Sequence, residues 1–309
     1  MTRNDQLDAL RAIVHDEQLP LNAAAIAVAD AIRARHPGAV RALVFYGSAL
    51  RLGEQADKML DFYVIVDRYR SVHGTGLKQL ASFLIPPSVH YLEIRDADGR
   101  RLRSKYAIVS EKAFHRRTRG AAFESMLWAR FAQPATVITE DALVRDALIN
   151  TLAYACRHLA DEVRPLLSGP VSPLDPWVRG LAESYRTELR PEKPHARARE
   201  IVGRFEARYR RLSEVLFATE ITSSELRSRG LEAFLCRVRW FARRIVGKPM
   251  GALRVLKAAA TFDAGLDYIL EKVESHSGVR LEVSENERKR PVLNAPMMAW
   301  RLFRAGAFR

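Results

Sequence analysis

The chain has 309 residues, 48% of them apolar, and a formal net charge of +14. That length supports one large domain or two smaller ones with a proper core, and the charge points to anionic partners: triphosphates, nucleic acid or an acidic lipid surface. Two cysteines, Cys156 and Cys236, exclude a disulfide framework or a cysteine zinc site and read as small buried hydrophobes of a reducing compartment. No apolar run approaches the ~20 residues of a membrane span. Early acids do not fit a signal or transit peptide, so a soluble or peripheral protein is expected.

Residues 5–35 carry apolar side chains at helical spacing (Leu7, Leu10, Ile13, Val14, then Ala24 to Ile32), and Pro20 divides them into two helices. His36-Pro37-Gly38 is a stop signal. Val40–Tyr46 and Leu60–Val66 are β-branched and apolar and read as core strands. A short helix is expected over 77–85, ended by Pro86-Pro87. Strands over 89–94 and 102–109 then form a hairpin through a turn containing Gly99. From Glu111 onward the pattern is almost wholly helical, with one β-like run at 136–138 and loops at 168–176 and 191–194. The expected fold is α+β: a nucleotidyltransferase-like mixed sheet with helices, then a mostly helical domain and an amphipathic tail. We place these parts at 1–135, 136–287 and 288–309.

The most informative stretch is Phe45-Tyr46-Gly47-Ser48 followed by Met59-Leu60-Asp61-Phe62-Tyr63. It reads as a strand, a Gly-Ser turn, a polar loop and a second strand with an acid near its start. A nucleotidyltransferase needs that order. A glycine turn lets backbone N–H groups approach a triphosphate, and the strand acid binds the magnesium that bridges its phosphates. Such sites usually carry two acids one residue apart, on one face of the strand. Here Asp61 is present, but Tyr63 holds the second position. The candidates to complete the metal site are Glu93 on a neighbouring strand, the better geometric choice, and Asp67, six residues along the strand and therefore ~20 Å away.

Three stretches concentrate positive charge. Residues 100–119 carry eight Lys and Arg against one acid, Glu111; among them Lys105 sits mid-strand, where a cation needs an anionic partner. Residues 233–261 contain no acid, and arginines and lysines recur between Phe234, Val238, Trp240 and Phe241, a pattern for binding anionic membrane or nucleic acid or for packing with one wet face. In the tail, Ala299, Trp300, Leu302, Phe303 and Ala307 share one side of a helix, with Arg301 and Arg304 opposite. Trp300, Arg301, Phe303 and Arg304 are expected at a lipid interface, the alternative being that the tail docks back on the protein's own core.

Taken in order, Tyr46-Gly47-Ser48, Met59-Leu60-Asp61-Phe62 with Val66-Asp67, the 103–110 strand around Lys105-Tyr106, Arg130 with Pro134, and Arg145-Asp146-Ala147-Leu148 resemble the mitochondrial-type phosphatidate cytidylyltransferases. This translocator assembly and maintenance family has bacterial members, and the likeness covers roughly 40–155. Departures are Ala49-Leu50 after the Ser, Ala107 for a glycine, and a His-rich segment reduced to Val72-His73. The resemblance implies transfer from CTP to phosphatidic acid, with Mg2+, at the inner face of a membrane, in a cytoplasmic protein peripheral on anionic lipid. It assigns Asp61 to metal and catalysis, Lys105 to catalysis and phosphate, and Tyr46, Gly47, Ser48 and Arg130 to the nucleotide. It leaves open a winged helix in the helical half. Action on nucleic acid (the less favoured partner) or a small molecule, or a non-catalytic nucleotide-binding role, are the competing readings.

Overall fold

The computed structural model describes residues 2–51, 59–74, 76–84, 86–167, 172–189, 192–222, 230–261, 270, 273–274, 277–289 and 291–306. Ile85, the 168–171 part of the expected loop, Pro191, Arg290 and the tail from Ala307 lie outside them. The fold is α+β. Helices α1 (Arg3–Asp16) and α2 (Ala23–Arg35) lead into strand β1 (Val40–Tyr46), the short α3 (Ser48–Arg51) and strand β2 (Leu60–Val66). Short helices α4 (Arg70–His73) and α5 (Leu77–Leu84) precede the hairpin of β3 (Ser88–Arg95) and β4 (Arg101–Ser110). Then come α6 (Glu111–Arg116), α7 (Met126–Phe131), β5 (Ala135–Ile138) and α8 (Ala142–Val163). The rest is helical: α9 (Asp175–Thr187), α10 (Pro194–Arg204), α11 (Glu206–Thr222), α12 (Gly230–Thr261), α13 (Glu285–Lys289) and α14 (Pro291–Arg304). Past Ile138 the described residues contain no strand, so the wing of a winged helix is not among them.

The five strands make one mixed sheet in the order β3-β4-β2-β1-β5, with β2 and β4 parallel and the other neighbours antiparallel. Because strand side chains alternate, each central strand feeds two cores. Phe45, Phe62, Val64 and Ile108 pack under α2 on Ala25, Val28 and Ile32. Val44, Tyr63, Ile65 and Val109 face the other way, into a larger cluster. This second cluster continues through α7 and the buried α8 to Trp177 of α9 and Trp240 of α12 without a break. The strand face that carries Asp61 and Tyr63 is therefore roofed by the C-terminal helices, and the site lies where the roof meets the strand ends.

α12 is tied to this body by a buried ion pair. Arg243, 4% exposed, gives Nη1 to Glu162 of α8 at 2.5 Å and Nε to the Phe123 carbonyl at 2.8 Å, between the Trp128 and Trp240 rings. Burial raises the Glu162 carboxyl, and Arg243 and Arg239 more than offset it, so the group sits below its ordinary value. A carboxyl lowered by folding contributes stability above its unfolded value, 4.5, that is lost as pH falls through the folded one. Arg243→Met leaves Glu162 buried without its main partner, and should cost about 3–5 kcal/mol at about pH 7. The orphaned acid then takes up a proton readily, so the cost should shrink towards about pH 4. Urea unfolding of both proteins at the two pH values measures this; equal stability at neutral pH would show that the pair does not hold α12.

Candidate active site

Three strands deliver the site's polar groups to one place. In register, Asp61 lies between Tyr46 of β1 and Lys105 of β4, and Lys105 shares the Asp61 face by strand parity. Gly47 follows Tyr46 with φ of +92°, a conformation that favours glycine, and a Cβ there would lie 2.8 Å from Asp61 Oδ2. Gly47 is thus needed twice, once for the turn and once to leave room for the carboxylate.

Tyr46, Gly47 and Asp61 line a cavity of about 130 Å³ together with Ser48, Arg130, Gln133, Pro134, Tyr185, Glu188 and Arg197. Arg130 leaves the end of α7 with its guanidinium over the Tyr46 ring, 5.3 Å from the centroid, and Nη1 donates to Tyr46 Oη at 3.3 Å. Its Nη2 is 3.6 Å from Glu188, and its buried Nε has no hydrogen-bond partner. Burial opposes the Arg130 charge, and the Tyr46 ring and hydroxyl beneath it with the Glu188 carboxylate beside it more than offset that, so it stays cationic. Burial also pushes the Tyr46 and Tyr63 phenols upward, keeping both neutral. Tyr63 lies beneath the cavity among Tyr46, Phe114 and Phe131, with centroids 5.0 to 6.3 Å apart. The position of the second acid is thus filled by an aromatic cluster.

The sequence expectations divide clearly here. Tyr46, Gly47, Ser48, Asp61 and Arg130 line one cavity. Lys105 is not in its lining but stands in register beside Asp61. Neither candidate second acid reaches it. Glu93 is on β3, which β4 separates from β2, so it is two strand spacings from Asp61, about 10 Å across the sheet. Its carboxylate takes Arg101 Nε and Nη2 at 2.5 and 2.6 Å and the Tyr91 hydroxyl at 2.9 Å. Asp67 follows the far end of β2 and is held by Arg68 and Ser71. The acid that does share the cavity with Asp61 is Glu188, just after α9. Sequence reading missed Glu188 and Arg197, since both sit in ordinary polar helical patterns far from the strand motif.

Among the described residues no group of three or more His, Cys, Asp or Glu side chains could hold a metal ion. Mg²⁺ does not require such a cage, because it commonly binds one or two carboxylates, several waters and the phosphates of its substrate. The Asp61 carboxylate beside the Gly47 turn fits that shared mode, in which a single protein carboxylate suffices.

A second feature lies on the outer helices. The buried side of α12 carries Ala233, Cys236, Trp240 and Arg243. The opposite side exposes Leu231, Phe234, Leu235, Val238, Phe241 and Ile245, flanked by exposed Arg237, Arg239 and Lys248. On α14, Met298 and Leu302 point inward while Met297, Trp300 and Phe303 are exposed. Leu302 therefore does not share the Trp300 side, and Arg304, expected opposite, stacks over the Trp300 ring at 4.8 Å. Arg301 is bound to Glu287 and the Glu282 carbonyl. Among the described residues no helix is long and apolar enough to cross a membrane.

No family model matches the chain, and no curated protein matches it. Among solved structures it is similar to a nucleotidyltransferase-like protein from Exiguobacterium sibiricum, with 12% identity over 90% of each chain and a TM-score of 0.26. At that score the likeness carries no argument, and the functional reading rests on the site itself.

Proposed function

We propose that the protein transfers a cytidylyl group from CTP to phosphatidic acid at an anionic membrane surface, yielding CDP-diacylglycerol and pyrophosphate. The observation that carries nucleotidyl transfer is the convergence of Gly47, Ser48, Asp61 and Arg130 on one cavity. At about 130 Å³ the cavity is smaller than the ~300–1,000 Å³ of a site that encloses a whole ligand. It suits phosphate groups, with base and acyl chains outside. CTP and phosphatidic acid as the substrates rest on the resemblance of 40–155 to the phosphatidate cytidylyltransferases.

In this reading the Gly47-Ser48 turn offers N–H and hydroxyl donors to the β- and γ-phosphates. Asp61 would hold a magnesium ion, which would supply charge neutralisation and polarisation at the phosphates. Arg130 and Lys105 add positive charge where the reaction develops negative charge. The phosphatidate oxygen attacks the α-phosphorus, the bond to the bridging oxygen breaks, and the electron pair leaves with pyrophosphate. A phosphomonoester is already largely dianionic at neutral pH, so no protein base has to remove a proton. What the protein supplies is alignment of two polyanions that otherwise repel one another.

The exposed faces of α12 and α14 support a lipid-borne acceptor. Apolar and aromatic side chains flanked by cations suit a position at headgroup level, and a patch that large is hard to account for as solvated surface.

Transfer from α-labelled CTP into chloroform-extractable lipid, with magnesium and phosphatidate liposomes, tests the reading. Label should appear with the wild type and fall by at least about a hundredfold in Asp61→Ala. Gly47→Ala should also lose transfer, because its Cβ would meet the Asp61 carboxylate. No label from wild-type protein that still binds the liposomes would sink this acceptor. In a flotation experiment, Phe234→Glu with Phe241→Glu should release the protein from anionic liposomes yet preserve transfer to a soluble short-chain phosphatidate. Continued flotation would remove α12 from the membrane contact.

A further inference from the structure

The mechanism above leaves part of the cavity lining unused. Gly47, Ser48 and Asp61 come from the strand ends, while Tyr185 of α9, Glu188 just after it and Arg197 of α10 complete the lining. We propose that Arg197 binds the phosphomonoester of the acceptor, so that the α10 part of the lining is the acceptor subsite. This rests on the nucleotidyl-transfer reading and adds to it a residue and a location for the second substrate.

Three observations carry it. Arg197 lines the cavity with its side chain only 23% exposed, and its buried Nε has no hydrogen-bond partner. The opposite edge of its guanidinium is held, Nη1 donating to Glu200 Oε2 at 2.6 Å, so the fork is oriented before any ligand arrives. Glu200 is also bound by Arg204 at 2.6 Å, so this carboxylate is shared between two cations. Phosphoryl transfer then supplies the direction. Attacking and leaving oxygens lie roughly in line through the phosphorus. With pyrophosphate held at the Gly47-Ser48 turn, the nucleophile approaches from the side away from it, and Arg197 is the cavity cation that the nucleotide reading leaves unused. A guanidinium also suits the ligand, since its planar fork matches two phosphate oxygens at once.

The test is calorimetric binding of two probes, magnesium CTP and a soluble short-chain phosphatidate, to the full chain and its variants, with far-ultraviolet circular dichroism to confirm folding. A charge-assisted hydrogen-bond pair contributes about 1.5–3 kcal/mol, which is about 10- to 150-fold in affinity. Arg197→Gln should weaken phosphatidate by that factor and leave CTP within about twofold. Arg197→Lys should restore only part of the loss, because a point charge lacks the fork. Arg204→Gln, which frees the same Glu200 without touching the cavity lining, should leave both affinities unchanged. Unchanged phosphatidate binding in Arg197→Gln overturns the proposal. So does an equal loss of CTP, which would place Arg197 in the nucleotide site, and so does a matching loss in Arg204→Gln, which would reduce its role to structure. Wild-type protein that binds phosphatidate through Arg197 but does not bind CTP would overturn the nucleotidyl-transfer reading while sparing the anion subsite.

Discussion

The register of β2 inside the sheet is the constraint on which the site depends. β2 is the only described strand that has β1 antiparallel on one side and β4 parallel on the other. That pairing sets Asp61 between Tyr46 and Lys105. A slip of one residue would turn Asp61 into the α2 core and Phe62 into the cavity, because side chains alternate along a strand. Both faces of β2 are packed, so such a slip would expose one core to gain nothing in the other. The hydrophobic pattern that makes the sheet stable is thus also what aims the carboxylate.

The second constraint is that charge near the sheet is held by groups on the helices. Arg130 needs Tyr46 beneath it and Glu188 beside it, and Glu188 exists in the site only because α9 packs on α8 and α7 through Leu181, Leu159 and Trp177. Gly180 allows that approach, since a Cβ there would meet the Leu159 side chain at 2.8 Å. Buried arginines left unpaired would be costly. Their partial pairing, with nitrogen atoms still open, leaves capacity for an anion.

The outer helices follow a different logic. α12 fixes itself inward through Trp240 and the Arg243–Glu162 pair and leaves its opposite face apolar. Two copies meeting through that face would bring Arg237, Arg239 and Lys248 against their own kind, whereas anionic headgroups would neutralise them. The tail adds Trp300 and Phe303 to the same character, with Arg304 stacked on Trp300 rather than set apart from it.

The linear pattern was enough for the strands, the hairpin, the helical second half and the cluster Tyr46-Gly47-Ser48 with Asp61, because these depend on local periodicity and on residues next to one another in the chain. It was enough as well for the cationic, aromatic character of the tail. It could not choose the partners of Asp61. Glu93 and Asp67 are acids on nearby strands by sequence, yet strand order puts β4 between β3 and β2, and the length of β2 puts Asp67 at the other end. Glu188 and Arg197, more than 120 residues further on, enter the cavity only because one continuous apolar core folds α9 and α10 over the strand ends. Periodicity determines which face of an element is buried; which residues meet across a cavity is decided by how whole elements stack, and that is a property of the packed core.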